Sequence, residues 1–343
     1  MHLASIDTSL NKTWHKNIKF SKTEAQVKLL SQELTKSGEA YLLYKIYEDK
    51  VKEKKDKKPA YDIELLYVKN DTAEVKKIKL NIENSFIKSA NLKLRENGEL
   101  YIVGLYSNTS NGPTHGVFYI KSIDGEIKLS TKRKFLDTEI EKMGDKNTEK
   151  DKSGEEGLND EFSFNNMQIL ADGSTFVTVE PNGEIVTMST DVQGRMRQTT
   201  TYFSDEIIII NITPEGEIAK LNILPKLQRS AEYFKFISHA SFVYNDKIYL
   251  FYNEDEDNFK IPIGEKPKLT QKYSDFVATM TTLDKNGTFD RKALLEYDDT
   301  GSILIPSEIR KLSETKYFFS SVQRKLFTSR SKYTFGTISI VPE

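Results

Sequence analysis

Cysteine is absent from the 343 residues, which excludes disulfides, thiolate metal sites and a cysteine nucleophile and leaves the redox compartment open. Net charge is nearly absent as well: 50 basic against 51 acidic side chains leave -1, so no global field draws in nucleic acid or an anionic membrane. Long apolar runs are missing. No stretch approaches the roughly 18 residues of a membrane span, and no basic-then-apolar signal segment opens the chain. The chain as it stands reads as soluble and not exported, although its opening on part of a repeat points to a truncated N-terminus. Gly-rich phosphate loops and a nucleophile elbow are also lacking. The four histidines, His2, His15, His115 and His239, show no metal-ligand spacing, and no cofactor or metal is expected.

What the chain does have is self-similarity, which takes precedence over local structure because a missed repeat miscasts the whole fold. LTKSGEAYLLYKIYED, LRENGELYIVGLYSN, ILADGSTFVTVEPN, VYNDKIYLFYNED and KLSETKYFFSSVQRK each set a short polar turn before an alternating or aromatic-rich strand. Their matching aromatics, Tyr41, Tyr101, Phe176, Tyr249 and Tyr317, stand 60, 75, 73 and 68 residues apart. A second hairpin with a tight Asn, Asp or Gly turn follows each of the first four. With the preceding strands FIKSANLKL, FSFNNMQIL and FISHASFV, each unit holds four antiparallel strands, a to d, which is the grammar of a β-propeller blade.

The ends complement each other. HLASID and TWHKNIKF read as a third and a fourth strand with no first pair before them, while YFFSSVQRK and KYTFGTISI give a second and a third. The expectation is an all-β chain forming one propeller domain over residues 1–343, with six blades or alternatively five, its ring closed by N- and C-terminal strands. A pair of β-sandwiches is the other architecture that short, evenly spaced strands allow. The stretch SIDTSLNKTW was compared with the Ser-x-Asp-x-Gly-x-Thr-Trp turn of sialidase-type propellers; its spacing is two residues too long and Ser9 replaces the Gly, so the match reads as accidental.

The pattern YFSDEIIIINITPEGEIAKLNILPKLQ, then SHASFVYNDKIYLFYNEDEDN and IPSEIRKL, resembles uncharacterised β-propeller-like proteins of Bacteroidetes over most of residues 60 to 341. That resemblance implies a cell-envelope or secreted setting, from which the chain departs by lacking a signal segment.

Turns within the a–b and c–d hairpins are short, whereas the b–c connections KVKEKKDKKPA, SNTSNGPT, PNGEIVTMSTDVQGRMRQTT and EDEDNFKIPIGEKPKLTQK are long. So is the segment after Phe135, whose residues 142–160 read as a flexible insertion loop. In a meander these connections share one end of the sheets, where long loops on a rigid scaffold carry binding. Three of them end in a signature at the entrance to strand c: Tyr61-Asp62, Tyr202 with Asp205, and Tyr273 with Asp275. These six are the candidate ligand-binding residues, with turn-shaping by Asp as their structural explanation. NEDEDN offers hard oxygens but lacks an EF-hand pattern, and reads as a solvated acidic loop. The Lys50–Lys58 run has no interleaved aromatics and does not read as a nucleic-acid platform. His239 is expected to be a packed strand residue.

Two functions follow from different classes. The first is a non-catalytic binding module, a monomer whose loop-rich face holds a protein, peptide or glycan. The second is a carbohydrate-active hydrolase using carboxylates such as Asp62, Glu180, Asp205 and Asp275 at a central channel, an analogy of fold alone.

Overall fold

A computed structural model describes residues 2–341 except 36–37, 50–51, 56–57, 69–74, 83–84, 96, 124–125, 144–147, 152–153, 159–161, 220, 233, 285, 297–301 and 325–330. Alternating apolar and β-branched residues, interrupted by Asp and Gly turns, dictate antiparallel strands almost throughout. The turns share one device: the carboxylate of Asp7, Asp172, Asp191 or Asp284 accepts the amide two residues on, at 2.9 Å in each case. Asp7 also accepts the Asn11 amide, so the opening stretch does form an Asp-supported turn, its local chemistry independent of the motif spacing.

The chain divides into two compact units, each described by itself. The first holds residues 1–160, 169–176 and 211–220; the second holds 161–168, 177–210 and 221–343. In the first, β1 (His2–Ile6) and β2 (Lys12–Asn17) make a hairpin. β3 (Val27–Leu34), β4 (Ala40–Tyr47), the short pair β5 (Lys54–Lys55) and β6 (Lys58–Pro59), β7 (Tyr61–Val68) and β8 (Val75–Leu80) follow. The order β3-β4-β7-β8 is the first four-stranded sheet. β9 (Phe86–Leu94), β10 (Leu100–Ser107), β11 (Gly116–Ile123) and β12 (Glu126–Lys134) are the second, in sequence order. Their facing sides share a core that includes Leu43, Tyr61, Leu65, Phe86, Leu92, Ile102 and Phe118. The opening hairpin packs Trp14 and Ile18 on Leu42, Tyr44 and Leu66, with the Trp14 indole N–H donating to the Gly38 carbonyl at 2.7 Å.

The segment read as an insertion loop carries the end of helix α1 (Asp137–Met143) and a hairpin of β13 (Thr148–Lys150) and β14 (Glu156–Leu158). Reciprocal backbone bonds of 2.7 and 2.8 Å tie Thr114 to Leu158.

The third sheet is built on β15 (Phe162–Ile169), β16 (Thr175–Thr190), β17 (Met196–Ser204), β18 (Ile207–Ile212), β19 (Asn222–Leu224) and β20 (Gln228–Ser230). β15, β16, β18 and β19 take the four positions expected of a repeat. β17 and β20 are additional: PNGEIVTMSTDVQGRMRQTT, expected as a loop, extends strands b and c into a ladder running from Asn182↔Ser204 to Thr190↔Met196. Its β-branched and Thr-rich sequence satisfies the backbone that a loop would leave to water.

β21 (Ala240–Tyr244), β22 (Lys247–Asp255), β23 (Phe276–Leu283) and β24 (Phe289–Glu296) form the fourth sheet in order. The last has β27 (Lys316–Arg324) at its centre, β28 (Ser331–Ser339) on one edge, and β25 (Ser302–Leu304) and β26 (Arg310–Lys311) on the other. Phe242, Phe251 and Tyr317 pack between these two sheets. Two expectations are corrected in this region. His239 precedes β21 in a bend, next to Ser238 at φ 79°. NEDEDN is not solvated over its first half: Asn253, Glu254 and Asp255 are buried at the end of β22, because the apolar strand carries them inward.

Four of the sheets thus show the four-stranded antiparallel order, and no closed sheet forms among the described residues. No helix of the described residues is long and apolar enough to cross a membrane.

β10 is buried along its whole length, and this needs Gly104. A Cβ there would lie 2.2 Å from the Phe118 ring and 2.7 Å from the Ser89 carbonyl oxygen. Gly104→Ala should therefore lower stability by about 1–3 kcal/mol, measured as a shift in urea midpoint. Phe118→Leu in the same chain should recover part of the loss; an unshifted midpoint in the single variant would show that this approach is looser than described.

Candidate functional site

The chemically richest place in the second unit is the buried end of strand β16. Glu180, the last residue before Pro181, is fully buried, and an ionised carboxylate in such a place requires partners. Its Oε2 lies 2.9 Å from His239 Nδ1, accepts from Ser204 Oγ at 2.9 Å, and faces Lys226 Nζ at 3.3 Å. Its Oε1 accepts from Asn165 Nδ2 at 2.7 Å and from the Ser238 hydroxyl. Burial alone would raise the Glu180 pKa, but Lys226, His239 and Ser238 together hold it well below the usual carboxylate range.

Lys226 is equally buried. Its ammonium donates to Ser204 Oγ at 2.6 Å, the Ser204 carbonyl at 3.1 Å and Gln228 Oε1 at 2.8 Å. Gln228 passes the network on, donating from Nε2 to the Asn253 carbonyl at 2.6 Å. Asn253 then donates to the carbonyls of Phe236 and Leu304 at 2.8 and 2.9 Å and accepts the Leu304 amide at 3.2 Å. One continuous polar chain therefore joins β16, the approach to β20, β22 and β25.

Glu254 supplies a contrasting carboxylate. It too is fully buried, accepting from Asn258 Nδ2 at 2.6 Å, with Arg291 no closer than 3.7 Å. Desolvation dominates and raises its pKa. Environments that push two carboxylates apart in this way are those from which acid and base roles are made, but neither group reaches solvent.

The six expected ligand-binding residues fall into two sets. In the first unit, Tyr61 is buried: its hydroxyl accepts the Ile87 amide at 2.6 Å, and Lys45 Nζ lies 3.9 Å from its ring centre. Asp62 pairs with Lys79 at 2.6 Å. In the second unit, Tyr202 and Tyr273 meet around Ser230. Tyr202 is the strand partner of Ser230, and the Ser230 and Tyr273 hydroxyls are 3.3 Å apart. Phe234 meets Tyr202 edge-on at 5.4 Å, as Phe236 meets Tyr273. Asp205 grips the Arg229 guanidinium through both oxygens, while that guanidinium lies 5.2 Å from the Phe203 ring centre. Asp275 is half-buried at the turn into β23 and accepts the Ser274 hydroxyl at 2.7 Å. Tyr202 of β17, Phe234 and Tyr273 thus gather around Ser230 of β20, while the next strand pair, Phe203 and Arg229, carries the ion pair to Asp205.

Sequence reasoning named Glu180 only by analogy and missed Lys226 altogether. It also missed His115, Asp151 and Glu155 in the first unit, whose ligand atoms lie within 4.8 Å of one another. The donor set favours a clamp over a metal site. His115 Nδ1 accepts the Asn108 amide at 3.1 Å, so in the neutral ring the proton is on Nε2, which faces Asp151 at 3.6 Å and Glu155 at 4.0 Å. A cation would need the lone pair that this tautomer lacks, since a ligating His donates from its other nitrogen. Burial lowers the His115 pKa and keeps the ring neutral. The cluster fastens the β13–β14 hairpin to the β10–β11 turn.

The chain matches no protein-family model and no curated protein. Among solved structures it is similar to a protein of unknown function from Dyadobacter fermentans, at 10% identity and TM-score 0.32, covering 93% of this chain and 96% of that one. It is also similar to a thermostable family-43 glycoside hydrolase, at 10% identity and TM-score 0.34, over 92% and 96% of the two chains. An alpha-L-arabinofuranosidase from Lactobacillus brevis gives 9% and 0.30, over 89% of each. At these scores the likenesses carry no weight for individual residues, and the resemblance to Bacteroidetes propeller-like proteins has no matching family behind it.

Opposite pKa directions give opposite pH signatures. Glu180 is lowered, so its stabilisation is present above the unfolded carboxylate value of about 4.3 and fades as pH falls below it. Glu254 is raised, so its protonated form favours the fold at low pH and that contribution fades as pH rises through and above the same unfolded value. Lys226→Met should cost about 3–5 kcal/mol at pH 7 by leaving Glu180 uncompensated, and Glu180→Gln should flatten the acid limb of the stability profile. Glu254→Gln should leave the melting temperature at pH 8 equal or higher. Thermal denaturation from pH 3 to 9 checks all three, and a destabilised Glu254→Gln at pH 8 would contradict the raised value.

Proposed function

We propose that the chain is a non-catalytic binding module of the β-propeller class, a single domain of six or alternatively five blades that takes a protein, peptide or glycan on its loop-rich face. The repeated order of four antiparallel strands supports the propeller reading. Ring closure would come from the terminal strands, and it is tested by removing residues 1–20. That deletion takes Trp14 and Phe20 from their packing and should lower the melting temperature markedly, on the scale of about 3–5 kcal/mol for one large side chain. If the truncated chain unlike the intact one fails to lose stability, closure by these strands is wrong.

The observation that carries the binding reading is the aromatic ledge where Tyr202, Phe234 and Tyr273 surround Ser230. Aromatic faces with a polar group at their edge suit the flat side of a sugar ring or a peptide backbone. Asp275 stands half-buried at the entrance to β23, and Tyr61 with Asp62 is the counterpart in the first unit.

The alternative, a carbohydrate-active hydrolase, has the divergent pair Glu180 and Glu254 in its favour. Against it stands their burial: acid–base work requires a proton shared with a substrate, and Glu180 is already committed to Lys226 and His239. Glycan and peptide arrays read the two apart. Binding that weakens at least about tenfold in Tyr273→Ala and Asp275→Ala, about 1.4 kcal/mol, with melting temperature little changed, supports the ledge. Release of reducing sugar by the intact chain, abolished in Glu180→Gln, would replace the binding reading with the hydrolase.

A further inference from the structure

A cavity of about 450 Å³ opens in the second unit between the fourth sheet and the end of β28, and the binding reading makes no use of it. Cross-strand pairing fixes what its first wall offers. Tyr249, Thr282 and Asp290 form one row across β22, β23 and β24, and Met280 is paired with Lys292 in the next, so these side chains share one face of the sheet. All of them line the cavity. Leu294 joins them through a bulge: Ala278 pairs with Leu295 and Thr279 with Ala293, which leaves Leu294 as the extra residue, and a bulge re-aims the side chain it carries. The second wall is the end of β28. There Ile338 is the strand partner of Tyr317, and the Ile340 amide bonds the Thr315 carbonyl at 2.8 Å.

The lining changes character from floor to mouth. Tyr249 and Ile340 are buried, with Met280, Leu294 and Ile338 half-buried beside them, an apolar floor in the size range of small-molecule sites. The flexible thioether of Met280 lets that floor adjust to its contents. Charge among the lining residues is confined to the mouth, where Lys247, Asp290 and Lys292 are exposed. Lys292 Nζ stands 3.4 Å from Asp290 Oδ2, a loose surface pair that is easily re-partnered. Asp284, in the β23–β24 turn, commits Oδ1 to the Asn286 and Thr288 amides at 2.9 and 2.8 Å. Two ammonium groups against one carboxylate leave the mouth net positive. An apolar floor under such a mouth is complementary to a molecule with an apolar body and one anionic head.

We propose that this cavity binds a small amphipathic carboxylate, its hydrocarbon body on Tyr249, Met280 and Ile338 and its head between Lys247 and Lys292. The site is separate from the aromatic ledge: Thr282 lies on the order of 20 Å along β23 from Phe276, which follows Asp275.

Calorimetric titration of the full chain with octanoate, octanol and octylammonium tests this. Octanoate should bind with a dissociation constant of about 100 µM or tighter, and the alcohol and the amine about tenfold or more weakly. Lys247→Glu should weaken octanoate about tenfold without moving the melting temperature, and Asp290→Asn should tighten it. Leu294→Trp fills the cavity and should abolish binding. Because that substitution also crowds the core, the carbon-13 methyl signal of Met280, assigned through Met280→Leu, supplies an independent reading and should shift as octanoate is added. Tyr273→Ala should leave octanoate binding unchanged, which separates this site from the ledge. Octanol or octylammonium binding as tightly as octanoate overturns the proposal. So does octanoate binding that survives Lys247→Glu and Lys292→Glu together, or a Met280 signal unmoved at about 1 mM octanoate, well above the expected constant.

Discussion

The Glu180–Lys226 pair is the constraint on which the second unit is arranged. Two opposite charges with no solvent contact are tolerated only when every remaining lone pair and proton is used. Here Ser204, Gln228, Asn165, Ser238 and His239 use them. These partners come from four segments, Ser238 and His239 sharing one, so satisfying the pair fixes β15, the end of β17, the start of β20 and the bend before β21 together. A hydrophobic pair of the same volume would fill the space, but it would not dictate which segment lies where.

The first unit is governed by other means. Its sheets meet mainly through aromatic and branched side chains, with Gly104 allowing Phe118 to lie directly on the backbone. Its polar devices are local, as in the His115 clamp, where a neutral ring faces carboxylates across distances of 3.6 and 4.0 Å. Packing therefore sets the fold of the first unit, whereas hydrogen-bond satisfaction determines the second to a greater degree.

Much of the strand order was legible in advance because alternation and turn chemistry are local. FIKSANLKL coincides with β9, and the Tyr41, Tyr101, Phe176, Tyr249 and Tyr317 positions each fall on a b strand. What escaped is what depends on distant partners. Lys226 in LPKLQ looks like any surface lysine until Glu180 and Gln228 are brought to it. PNGEIVTMSTDVQGRMRQTT carries the β-branched residues of a strand, but Pro and Gly at its start and Gly at its centre masked a hairpin. NEDEDN has the composition of a solvated loop, and only the structure shows that Asn253, Glu254, Asp255 and Asn258 are buried. For the candidate binding residues, the Tyr and Asp signature was visible, whereas the Ser230 and Arg229 partners that distinguish Tyr202, Asp205 and Tyr273 from Tyr61 and Asp62 carry no spacing signal.

The division of the chain has a consequence for how this protein can be taken apart. The polypeptide passes from one unit to the other at residues 160, 168, 176, 210 and 220, and strands β16 and β18 belong in part to each. No single cut yields either unit whole. A fragment beginning at residue 161 takes with it segments that complete the other unit, and one ending at 160 leaves its own behind. The two units are thus inseparable as genes even though they are distinct as packed bodies: neither can be cloned, swapped into another protein or lost in evolution as one contiguous piece.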